Sequence, residues 1–97
     1  MTEEHAETIG LAALGWLCAQ DDLLPVFLAA SGATISDLQA GLSAPGGPDR
    51  ALLVAGLDFV LMQDETVIAA AQAQDLRAEK LVMAHALLSG AAQMHWT

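Results

Sequence analysis

One acidic mark occurs twice in this chain. Gln20-Asp21-Asp22 and Gln63-Asp64-Glu65 stand at the same offset within two apolar stretches, residues 11–39 and 54–82, about 43 residues apart. Laid over one another, the stretches match at Ala12/Ala55, Leu14/Leu57, Ala30/Ala73 and Leu38/Leu81, with Trp16/Phe59, Leu17/Val60 and Leu24/Val67 as conservative pairs. A chain rich in Ala and Leu gives some matches by chance. The shared acidic punctuation makes duplication the better reading. It predicts two similar three-helix units, residues 2–44 and 48–89, that share one core in a single domain spanning residues 1–97.

Helix is the only period that fits. Strands want alternating β-branched and aromatic residues, and this chain has no Tyr, two Phe and Ala throughout. Thr2 can cap a first helix, with Glu3 and Glu4 favouring its dipole; from Ile9 to Cys18 that helix is apolar nearly all round, the mark of burial on several sides. Asp21 or Asp22 is expected to cap a second helix with Pro25 in its first turn and Gly32 as a left-handed stop. Thr34 and Asp37 have capping-box spacing before a short third helix. Residues 43–48 read as a linker, with Pro48 placed to open the next helix. That helix should run to about Gln63. A fifth follows the break at Asp64, and Asp75 is expected to cap a sixth that Gly90 ends. Residues 91–97 read as a loosely held tail.

Gly inside a helix costs about 1 kcal/mol relative to Ala. Close helix–helix approach would offset that cost at Gly10, Gly15 and Gly56, so the two long helices are expected to cross near Ala13 and Gly56.

Charge and cysteine content narrow the function classes. The net charge is −9, with only Arg50, Arg77 and Lys80 basic, so phosphate backbones and anionic membrane surfaces are disfavoured as partners. Cys18 stands alone, which rules out an intramolecular disulfide, and the acidic N-terminus is unlike a signal peptide. No apolar run reaches membrane-spanning length, and a cytoplasmic location is the expectation. Apolar residues make up 55% of the chain and charged residues 15%. The usual charged share is about 25%, so some apolar surface should remain for a partner or a second copy to cover.

Residues 13–17 (Ala-Leu-Gly-Trp-Leu), then Asp21, Asp22, Leu24, Phe27, Leu28, Gly32 and Leu38, carry a resemblance. So do residues 57–62 (Leu-Asp-Phe-Val-Leu-Met) with Asp64 and Glu65. Together they resemble the alphaproteobacterial domain-of-unknown-function family numbered 3572, over roughly residues 9–88. The resemblance implies a short cytoplasmic helical protein and supplies no catalytic residue.

The candidate sites each have a plain alternative. The paired acids could hold a hard cation, but Ca²⁺ needs about six to eight oxygens in a Gly-containing loop, so helix capping accounts for them better. Asp58 interrupts an apolar helix and must face water or meet a donor; Arg77, Lys80 and His85 are conceivable partners. His85 has no second ligand at helical spacing and reads as a histidine at the edge of the core. Cys18 follows its helix dipole to the wrong end for a nucleophile. Trp16, Phe27, Phe59, Met62 and Met83 are large apolar residues at helical spacing, core in the plain reading and an adaptable binding surface in the functional one.

The fold expected is all-α, a compact bundle of about six helices. The leading function is a non-enzymatic protein-interaction module without cofactor or metal, its leftover apolar surface rimmed by acids. A structural or regulatory homodimer is the alternative. A small enzyme or ligand binder using Asp58 and His85 between the units is the third.

Overall fold

The computed structural model describes residues 1–90; the expected loose tail, 91–97, lies outside them. Six α-helices and no strand occur among the described residues: α1 Glu3–Cys18, α2 Leu24–Ser31, α3 Ile35–Ser43, α4 Arg50–Val60, α5 Asp64–Ala73 and α6 Ala78–Ser89.

Local chemistry sets most of the boundaries. The Thr2 hydroxyl accepts from the His5 N–H at 3.1 Å, and Thr34 and Asp37 form a reciprocal capping box at 3.0 Å each way. Gly32 (φ 78°) and Gly90 (φ 80°) end α2 and α6 in the left-handed conformation that a side chain would oppose.

Four boundaries differ from expectation. Neither Asp21 nor Asp22 caps α2: Leu23 holds the N-cap position without a side-chain bond, and Pro25 in the first turn removes one of the N–H groups that would need a partner. Asp49, not Pro48, opens α4, its carboxylate accepting from the Leu52 N–H at 2.9 Å. The helix stops at Val60 rather than Gln63. Asp75 does not cap α6, whose N-cap is Arg77; it adopts φ 56° and closes α5 instead. Asp64 and Glu65 lie in the first turn of α5, where they complement the helix dipole without a capping bond.

The core gathers around α1, which packs against α4, α5 and α6. Its buried residues Ala6, Ile9, Gly10, Ala13, Leu14 and Leu17 form one stripe at helical spacing. Leu11, Ala12 and Gly15 face outward, so this helix is buried on fewer sides than its composition suggests. The expected close crossing is present with a shifted centre. A Cβ on Gly56 would lie 3.1 Å from Leu14 Cδ1, and one on Gly10 would lie 3.4 Å from Leu53 Cβ. Gly15 has nothing within 4 Å and plays no part in it.

The two sets of three helices pack differently. Within residues 48–89, α6 lies against both α4 and α5. Within residues 2–44, α3 is peripheral, with Leu38 its one buried residue. The outer side of α4 faces α2, which packs on it, and α3, whose Gly41 approaches it so closely that an added Cβ would lie 2.9 Å from Leu52 Cδ2.

Candidate functional site

Helix α4 buries Leu53, Gly56, Leu57 and Val60 on its inner side. Its opposite side carries Ala51, Ala55 and Asp58 at i, i+4 and i+7, with Met62 one turn beyond. Small side chains along this outer stripe leave a trough between α4 and the wall made by α2 and α3. The larger part, about 650 Å³, is bounded by Ala40 and Gly41 of α3, by Ala44 just past its end, and by Ala51, Leu52 and Ala55 of α4. A second hollow of about 160 Å³ lies beside it, against Phe27, Phe59 and Met62. Ser31 and Ala55 line both, so the two are neighbours along α4.

The charges at the rim share one sign. Asp37, Asp49 and Asp58 line the trough, and among the described residues no Lys, Arg or His does. Arg50, next to Asp49 in sequence, donates to Glu3 of α1 at 2.7 Å. The Asp37 and Asp49 carboxylates accept from the backbone N–H groups of Thr34 and Leu52, where the positive ends of α3 and α4 offset their charge. Asp58 serves no cap. Its Oδ1 contacts His85 Nε2, which reaches across from α6.

His85 is one of the three partners the sequence allowed Asp58, beside Arg77 and Lys80, and the structure brings these two side chains together. Asp58 is exposed on 61% of its side chain and His85 on 25%, so the pair sits at the surface rather than in a closed cavity. Asp58 borders the smaller hollow; His85 does not line it. Of the five apolar candidates, Phe27, Phe59 and Met62 line the smaller hollow. Phe27 is fully buried, its ring edge-on to Phe59 at 5.6 Å between centroids, and belongs to the core rather than the surface. Trp16 packs half-buried against the core and Met83 is exposed on α6; neither lines the trough. Cys18 is partly buried, and that burial pushes its thiol pKa up, the opposite of what a nucleophile needs.

The small residues Ala40, Gly41 and Ala51 were not among the candidates read from sequence. For Ala51 the signal was the stripe it shares with Ala55 on α4, opposite the buried one; Ala40 and Gly41 on α3 carried none.

Residues 3–91 match the family model described as a protein of unknown function, DUF3572. The chain belongs to this family. No curated protein and no solved structure matches the DUF3572 chain. Among its described residues no helix is long and apolar enough to cross a membrane, and no group of three or more His, Cys, Asp or Glu could hold a metal ion.

Proposed function

We propose that this protein is a non-enzymatic interaction module that receives a helix of another protein in the trough along α4. The observation that carries this reading is the pair of neighbouring hollows along α4 that share Ser31 and Ala55 in their linings. A groove with a small-residue floor lets a partner helix approach the backbone closely, and apolar anchors at helical spacing could follow it from Leu52 to Met62. Exposed Met62, at 73%, gives its open end an adaptable edge.

A homodimer is the second reading, favoured by exposed Ile68, Val82 and Met83 outside the trough. A net charge of −9 on each copy works against it at low salt. The third reading, a small enzyme or ligand binder, has the Asp58–His85 contact in its favour. The hollow beside that contact is smaller than the roughly 300–1,000 Å³ typical of small-molecule sites.

Photo-crosslinking in the cell tests the proposal. A benzophenone amino acid at Ala55 or Met62 should give one discrete adduct with another protein, and the same probe at Glu65 on α5 should give none. An adduct of twice the chain's own mass from Ala55 would replace the module with the homodimer. No adduct from either trough position would end the proposal.

A further inference from the structure

We infer that the trough selects a helix carrying a cation beside its apolar face, and that Asp58 is the residue that reads this charge, in competition with His85. The inference rests on the docking role proposed for the trough and names the chemistry of its occupant. Among the described residues three carboxylates and no cationic group line the trough, and Arg50 is turned away onto Glu3. Two of those carboxylates are committed to the starts of α3 and α4, where the helix ends already offset their charge. Asp58 alone is free of a cap, borders the hollow, and keeps most of its side chain in water. An incoming Lys or Arg therefore finds its strongest available partner there.

His85 makes that partner conditional. Its Nε2 contacts the same Asp58 Oδ1 from the α6 side, and no other ion pair forms with its ring among the described residues. A cation docking on Asp58 must share the carboxylate with the imidazole or displace it. Removing His85 should then strengthen binding, and removing Asp58 should weaken it.

Two synthetic helical peptides serve as probes, each with the same Leu/Ala face, one flanked by Lys and one by Glu. Amide shifts of Ala40, Ala51 and Ala55 report occupancy of the trough. The Lys peptide should bind, lose affinity as NaCl is raised, and bind about two- to fivefold more weakly to Asp58→Asn, the range of an exposed ion pair. His85→Ala should strengthen it about twofold, and the double variant should match Asp58→Asn alone, because His85 acts only through that carboxylate. Equal binding of both peptides, or a His85→Ala effect that persists without Asp58, would overturn the inference while leaving the trough a docking site. If neither peptide shifts those amides, the docking role falls and the inference with it.

Discussion

The Leu76 N–H reaches back to the Ala71 carbonyl at 2.9 Å, and the chain can make that bond because Asp75 turns left-handed just before it. With the Asp75 N–H on the Gln72 carbonyl at 3.1 Å, this is a Schellman ending whose usual Gly has been replaced by an acid. A left-handed side chain costs roughly 1–2 kcal/mol, less for Asp than for most. Asp75→Gly should therefore raise unfolding stability by about 0.5–1 kcal/mol and Asp75→Val should lower it by at least about 1 kcal/mol. Urea titrations of the two variants would decide the matter, and a Gly variant no more stable than the parent would contradict it.

The glycines of α1 and α4 should respond in opposite directions. Gly15 is open to solvent with nothing near its missing Cβ, so Gly15→Ala should stabilise the fold by about 0.5–1 kcal/mol through helix propensity alone. Gly56 faces Leu14 at contact distance, and Gly56→Val should cost about 1–3 kcal/mol by overpacking. Thermal melts of both would show shifts of opposite sign.

Phe27 and Met62 border the same hollow and should differ sharply on truncation. Phe27→Ala removes a fully buried ring and should cost about 3–5 kcal/mol, whereas Met62→Ala should stay within about 0.5 kcal/mol. Comparable losses from the two would mean that Phe27 is not the floor of this region.

Cys18 should be a sluggish thiol. With its pKa raised by burial, less of it is thiolate at pH 8 than for a free cysteine, so alkylation by iodoacetamide should be slower there and should keep accelerating at more alkaline pH. Reaction as fast as glutathione's at pH 8 would show the thiol to be neither buried nor perturbed.

The helices were legible because their stops are local. Thr34 with Asp37, Gly32 and Gly90 each announce a boundary through chemistry within three or four residues. Asp21, Asp22 and Asp75 misled for the same reason: an acid before a helix resembles a cap until the backbone angles are known. The Asp58–His85 contact was legible only as one of three possible partners, since it depends on how α4 and α6 cross. The trough was legible only in part, through Phe59 and Met62 on its α4 side. It depends on how α3 meets α4, through Leu38 in the core and Gly41 against Leu52, contacts that no local pattern announces.

Helix α3 holds to the body through Leu38 and the close approach of Gly41 to Leu52, and lies between left-handed glycines at 32, 46 and 47. Its opening free energy should accordingly fall well below that of global unfolding, with its amides exchanging hydrogen long before those of α1. One side of the trough is thus the part of the molecule that comes loose first. A partner gripping Ala40 and Gly41 would slow exchange across α3 by far more than it raised the melting temperature, because it would be completing a subdomain that the chain alone leaves half-fastened.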